Sequence, residues 1–279
     1  MSATVAHPWL PTTTCGEGCI SDTARHPWRA GLRMVYRLTA AALVLIALPL
    51  LAVPVPGRAR TQRLYCRTLL RSLGVRLAVT GGPIRNLRGL LVVSNHVSWV
   101  DVFAVGAVLP GAFVARADVT GWPGIGTAAR MIDVIPIERA SLRQLPAVVE
   151  AITHRLRRGR TVVAFPEATT YCGAHRGRLR PAVFQAAIDA ASPVQPLHLS
   201  YRYGDGAPST LTAFLGAESL WGSLRRIVRA PGTVVHVAVG SLQLPGPDRR
   251  ELAVRCEAAL LGGQRQPHLE AGPVGQVVR

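Results

Sequence analysis

The chain has 279 residues, of which 49% are hydrophobic, with a formal net charge of +17 and a mean hydropathy of +0.25. That length supports one large domain with appendages and a full core, while the hydropathy is high for a freely soluble enzyme. All the positive charge is arginine, which suits an anionic bilayer surface; nucleic acid is the other partner such charge allows, but 5% aromatics and the lack of a recognised binding motif argue against it.

Residues 1–33 hold Pro, Thr, Gly and His without apolar periodicity and read as a poorly ordered extension. Cys15-x3-Cys19 beside His7 has a zinc-like spacing, but no second ligand pair follows, so the expectation is a flexible tail and no metal. The cysteines at 15, 19, 66, 172 and 256 are odd in number and scattered, which fits a reducing compartment better than a disulfide framework.

Residues 34–72 read as a membrane-associated helical segment. Leu38 to Val55 is the most apolar stretch; as a helix it would span roughly 27 Å, borderline for a bilayer core of about 30 Å. Pro49 argues against a straight span, and Pro54 and Pro56 end it. Arginines flank it on both sides (25, 29, 33 and 37; then 58, 60 and 63), which favours a shallow insertion over an oriented crossing. Arg60, Arg63, Arg67 and Arg71 then recur at helical spacing, as a basic stripe facing lipid phosphates or as an ordinary solvated helix face.

Residues 73–262 alternate short β-branched runs with helical patterns, which predicts an α/β domain with a mixed, mainly parallel sheet flanked by helices. Strands are expected near 76–79, 90–94, 113–116, 134–137, 161–165, 194–200 and 234–239, and helices near 99–108, 141–157, 182–191 and 249–261. The turn-rich stretch 204–213 reads as a surface loop, and 263–279 as a flexible tail.

The apolar run Leu90-Leu91-Val92-Val93 leads into Asn95-His96-Val97-Ser98-Trp99-Val100-Asp101. On one unbroken helix, His96 and Asp101 would point roughly 140° apart, so they meet only if the backbone bends between them. Ser98 as an N-cap supplies that bend, leaving His96 in the loop and Asp101 in the first helical turn. The plainer alternative is a Ser98/Asp101 capping box with His96 as a polar loop residue.

Three later segments stand where strands end: Ile137-Glu138-Arg139, Phe165-Pro166-Glu167-Ala168-Thr169-Thr170 and Pro193-Val194-Gln195-Pro196. Each alone is an ordinary turn or surface arginine. In this order after His-x4-Asp, they resemble the four-block pattern of the glycerolipid acyltransferases, closest to the 1-acylglycerol-3-phosphate and related lysophospholipid acyltransferases. The resemblance covers about residues 75–240. The third block departs from it: Ala168 stands where the family has glycine, Thr170 replaces Arg or Ser, and the usual Lys-Gly is absent. A methyl group at 168 is costly if that backbone needs a positive φ.

The resemblance implies direct transfer of an acyl group from an acyl-CoA or acyl-carrier-protein thioester, as co-substrate rather than cofactor, to a lysophospholipid hydroxyl. His96 would be the general base and Asp101 its orienting partner. Asn95, Arg139, Glu167 and Thr169 would bind substrate, Arg139 as the phosphate clamp. Thr170, Arg178 and Arg180, with Arg176 beside them, are candidate phosphate or head-group contacts. Ser98 is assigned the cap and Cys172 a loop position; backbone N–H groups after Ser98 are candidate oxyanion donors. The expected location is the cell membrane with the site facing the cytoplasm. The competing readings are another acceptor, such as a lyso-ornithine lipid, and a non-catalytic arginine-rich membrane-surface protein.

Overall fold

A computed structural model of the chain describes residues 11–21, 27–48, 57–83, 87–118, 133–138 and 141–262. Seven strands form one sheet: β1 (Val75–Gly81), β2 (Leu91–Ser94), β3 (Ala112–Arg116), β4 (Ile135–Ile137), β5 (Val162–Ala164), β6 (Val194–Tyr203) and β7 (Thr233–Val239). Their order is β1-β7-β6-β2-β5-β3-β4, and every pairing is parallel except β6 with β7. The expected α/β architecture with a mixed, mostly parallel sheet is thus present.

Strand β2 is central, paired on one side with β5 and on the other with β6. All four of its residues are buried, which is why its sequence is a continuous apolar run rather than an alternating one. Successive side chains point to opposite faces and join different cores. Leu90 and Val92 pack on the face shared with Phe113, Leu197, Leu199 and Val237, while Leu91 and Val93 pack with Ile152, Phe184 and Leu252.

The helices are α1 (Pro27–Ile46), α2 (Arg58–Ser72), α3 (Asp101–Val108), α4 (Leu145–Arg157), α5 (Ala182–Asp189), α6 (Leu220–Arg229) and α7 (Arg249–Gly262). Helix α6 was not expected from sequence. Its N-cap Ser219 accepts the Gly222 N–H at 3.0 Å, and Ile227 and Val228 are buried. At its other end Arg37, from α1, donates to the Val228 and Ala230 carbonyls at 3.0 and 2.7 Å. The guanidinium lies against Gly74, whose φ is +80°, so a side chain there would be strained and would displace Arg37, whose Cζ lies 2.0 Å from where a Cβ would sit.

The N-terminal expectations need correction. Helix α1 begins at Pro27, inside the stretch read as an extension, and Cys15 is buried in the core. The helix ends at Ile46 rather than running from 38 to 55, and residues 49–56 lie outside the described residues. Among the described residues no helix is long and apolar enough to cross a membrane. The basic stripe belongs to α2, but Arg63 turns inward and donates to the Val108 carbonyl at 3.2 Å. The stretch 204–213 is only half a surface loop: Ser209, Leu211, Thr212 and Ala213 are buried. The expected tail 263–279 lies outside the described residues.

Candidate active site

In a parallel sheet the residues that can meet a ligand are those leaving the carboxyl ends of the strands. The loop after β2 carries His96 and the loop after β5 carries Phe165 to Glu167, so neighbouring strands deliver both to one end of the sheet. His96 Nδ1 lies 2.9 Å from Asp101 Oδ2, and the His96 ring stacks on Phe165 with centroids 4.2 Å apart at 18°. The backbone bends between the two residues as their spacing requires. The ring keeps 13% of its side-chain surface open, whereas Asp101 is fully buried.

Asp101 is held by more than the imidazole. Its Oδ2 also accepts the Val97 and Ser98 backbone N–H groups at 2.7 and 2.9 Å, and its Oδ1 accepts the Tyr201 hydroxyl at 2.5 Å. Burial first, then the Asp101 charge and hydrogen bond, hold the Tyr201 phenol well above its ordinary pKa, so it stays a donor. Two backbone N–H groups and a protonated phenol can only donate to this carboxylate in this arrangement, so the imidazole proton belongs on Nδ1. Nε2 is then the lone-pair nitrogen.

Ser98 Oγ accepts the Val100 N–H at 3.3 Å and Asp101 reaches back to the Ser98 N–H, but the Asp101 N–H goes to the Ser98 backbone carbonyl and α3 begins at Asp101 with Val100 as its N-cap, so the expected Ser98 cap is not the one that forms. Of the N–H groups after Ser98 that were candidate oxyanion donors, those of Val100 and Asp101 are already bonded to Ser98.

Several residues expected to touch substrate are occupied in holding the loops. Asn95 is buried; its amide donates to the Leu199 carbonyl at 2.9 Å and accepts the Leu199 N–H at 2.7 Å, extending the β2–β6 pairing beyond Ser94. Glu167 is also buried rather than pocket-lining. Its two oxygens accept the His96 and Gly177 N–H groups at 2.7 and 3.0 Å. Thr170 donates its hydroxyl to the Phe214 carbonyl at 2.5 Å. Thr169 is half-buried beside it, and Arg178 and Arg180 have exposed side chains on the following loop, where the Arg180 N–H bonds the Pro166 carbonyl at 3.0 Å. Arg139 lies outside the described residues. The residues that local reading missed are Tyr201 and Phe165. A tyrosine bound for a buried strand face needs a partner for its hydroxyl, which was the one available signal.

Burial pushes Glu167 up to about 7 from an ordinary 4.5; the Asp101 charge adds to this, while the His96 and Gly177 N–H groups and Arg176 oppose it. A raised carboxyl pKa means that the folded chain binds more protons than the unfolded one between those two values. Stability therefore falls as pH rises from about 4.5 to 7 and levels off above, by an amount on the order of 3 kcal/mol. Denaturant midpoints measured from pH 5 to 8 should show this decline, and Glu167→Gln should remove most of the slope. An equal slope in the variant would assign the titration elsewhere.

Ala168 has φ +59°, the left-handed conformation for which glycine is suited. Its N–H bonds the Phe165 carbonyl at 3.0 Å, closing the turn that points Glu167 inward. The methyl group is therefore strained, and Ala168→Gly should stabilise the fold by about 0.5–1 kcal/mol, less than the full αL cost because glycine also frees the unfolded chain. Chemical denaturation checks this, and a destabilised variant would refute it.

A lone-pair imidazole nitrogen, oriented by a buried carboxylate at the carboxyl end of a parallel strand, is an arrangement that can draw a proton from a nucleophile. Comparison with known proteins narrows the class. A family model described as acyltransferase matches residues 76–200. A lyso-ornithine lipid O-acyltransferase of Pseudomonas aeruginosa is 32% identical over 206 residues, covering 74% of this chain and 78% of that protein. One from Rhizobium meliloti is 33% identical, covering 80% and 81%. A 1-acyl-sn-glycerol-3-phosphate acyltransferase of Neisseria meningitidis is 36% identical over 135 residues, 48% of this chain and 53% of that one. The crystal structure of the 1-acyl-sn-glycerophosphate acyltransferase PlsC from Thermotoga maritima shares the fold, with a TM-score of 0.65 at 18% identity over 88% of this chain and 99% of that one. The chain belongs to the acyltransferase family. It is an acyltransferase enzyme of lipid biosynthesis.

Proposed function

We propose that the enzyme moves a fatty acyl group from an acyl thioester to the free hydroxyl of a lyso-lipid at a membrane surface. The observation that carries this reading is the His96–Asp101 contact at 2.9 Å, with Asp101 buried and Nε2 left as the acceptor. An alcohol is a poor nucleophile until its proton is taken. His96 Nε2 accepts that proton as the hydroxyl oxygen bonds to the thioester carbonyl carbon. Asp101 stabilises the imidazolium so formed. When the tetrahedral adduct collapses, the carbon–sulfur bond breaks and the imidazolium returns its proton to the leaving thiolate. No serine or cysteine nucleophile and no acyl-enzyme enters the sequence.

For the acceptor, the relatives with the longest coverage favour a lyso-ornithine lipid: four so named are 28–33% identical over 65–93% of this chain. The block carrying Ala168 and Thr170 supports an acceptor other than the phosphate-bearing one. The second reading, 1-acylglycerol-3-phosphate, is favoured by the higher identity of the Neisseria relative and would use Arg139 as the phosphate clamp. Thiol release from acyl-CoA or acyl carrier protein, measured with each lyso-lipid in turn, tests both donor and acceptor. Turnover with neither acceptor would defeat the proposal.

Membrane docking rests on α1. Trp28, Leu32, Val35, Tyr36, Leu43 and Ile46 are 63–75% exposed. At 100° per residue they fall within about 100° of one another, an unpartnered apolar stripe on a chain of charge +17. The occupant that fits both features is an anionic lipid surface, with the helix lying in it rather than crossing. Leu32→Asp with Tyr36→Asp should lower co-sedimentation with phosphatidylglycerol vesicles by at least about tenfold. Unchanged partitioning would place the lipid contact elsewhere.

A further inference from the structure

Five free cysteines occur, and two of them behave as packing residues: burial pushes the Cys66 and Cys256 thiols up to about 12. The other three converge. The sulfurs of Cys15, Cys19 and Cys172 all lie within 4.8 Å of one another, although 157 residues separate the first from the last. The exposed His175 places Nδ1 3.6 Å from Cys172 Sγ, at the edge of this three-sulfur cluster rather than within it. The Cys15-x3-Cys19 pair lacks a second ligand pair in the sequence; the fold brings Cys172 to it, with His175 close by.

The geometry is that of a small soft-metal site. With zinc–sulfur bonds of about 2.3 Å and zinc–nitrogen bonds of about 2.0–2.1 Å, a tetrahedral centre holds sulfur and nitrogen about 3.6 Å apart and two sulfurs about 3.8 Å apart. Both pairs sit on glycine-bearing turns that bring ligands back on themselves. Cys19 closes a 3-10 turn whose N–H bonds the Gly16 carbonyl at 3.0 Å, and Gly173, between Cys172 and His175, has φ +91°. The Cys172 backbone N–H points at Cys15 Sγ at 3.4 Å, a donor that favours a thiolate. Thiolates with imidazole select zinc over magnesium or calcium.

We infer that Cys15, Cys19 and Cys172 form a structural zinc site, with the exposed His175 side chain turning in as the fourth ligand, that fastens the N-terminal segment to the loop following Glu167. The fastening has a consequence for the dyad. Within this same loop Tyr171 donates its N–H to the His96 carbonyl at 2.9 Å and Gly177 donates to Glu167 at 3.0 Å. Cys172 and His175 lie between those two contacts, so the metal holds the stretch of chain that supports the imidazole from behind.

The full-length protein, purified under reducing conditions without chelator, should carry about one zinc per chain by plasma mass spectrometry. Exchange for cobalt(II) should give thiolate-to-cobalt charge transfer and tetrahedral ligand-field bands. Cys19 is only half-buried, so Cys19→Ser should keep its helix content while losing roughly tenfold or more in zinc affinity against a chromophoric chelator. His175→Ala should weaken binding and keep the thiolate band. Wild-type protein that takes up no zinc after incubation with zinc chloride, with its thiols open to a thiol reagent, would overturn the site. So would a Cys15–Cys172 disulfide persisting in reductant, or a Cys19→Ser variant that binds zinc as tightly as wild type. The wild-type measurements do not depend on any variant folding.

Discussion

His96→Ala should lower acyl transfer by a factor of about 10² to 10⁴ while the protein expresses and melts much as wild type does. The fold survives because the His96 backbone, not its ring, makes the bonds that tie loops together: its N–H goes to Glu167 and its carbonyl receives Tyr171. Asp101 keeps three of its four donors when the ring is removed, those from Val97, Ser98 and Tyr201. Thiol release from the acyl donor gives the rate, and circular dichroism gives the fold. Activity within tenfold of wild type would remove the imidazole from the chemistry. A variant that fails to fold would show the residue to be a loop anchor.

Asp101→Asn should be nearly as severe in rate, again about 10² to 10⁴, with a stability loss of about 1–3 kcal/mol. An amide can keep its oxygen at the Oδ2 position and still accept from His96, Val97 and Ser98, turning its NH2 toward Tyr201, whose oxygen can accept. Geometry is largely preserved. What disappears is the negative charge that steadies the imidazolium as the proton arrives, and with it the charge-assisted part of four hydrogen bonds. Asp101→Ala would be less informative, since it strips four donors in a fully buried position and unfolding would mask the rate. Near-normal turnover in the asparagine variant would leave Asp101 as a cap and nothing more.

Local sequence carried the sheet well. Each of the seven strands was legible as a short β-branched or apolar run, with ends displaced by three residues at most, because buried parallel strands need little beyond that pattern. The His96–Asp101 pair was legible too, since the bend that joins them is written within seven residues. The supporting contacts were not. Asn95 was expected as a substrate contact from the resemblance, but its amide is consumed by Leu199, 104 residues away, through a strand pairing no local pattern reveals. Tyr201 reaches Asp101 by the same long-range pairing. Glu167 was expected to line the pocket from the resemblance alone, and here two backbone N–H groups make its burial possible. Helix α6 escaped notice because Gly222 and three arginines obscure its apolar face within ten residues. The cysteines looked scattered for the same reason: proximity in space was set by topology.

Strand β6 supplies one clamp for the loop after β2 and one for the carboxylate, through Leu199 and Tyr201, and it enters the sheet only after the two other strands that frame the site. A nascent chain halted before that strand leaves the ribosome would already contain His96, Asp101 and Glu167 and the bonds among them, but would lack the Leu199 and Tyr201 clamps on Asn95 and Asp101. The last support of the carboxylate is therefore the last to be synthesised.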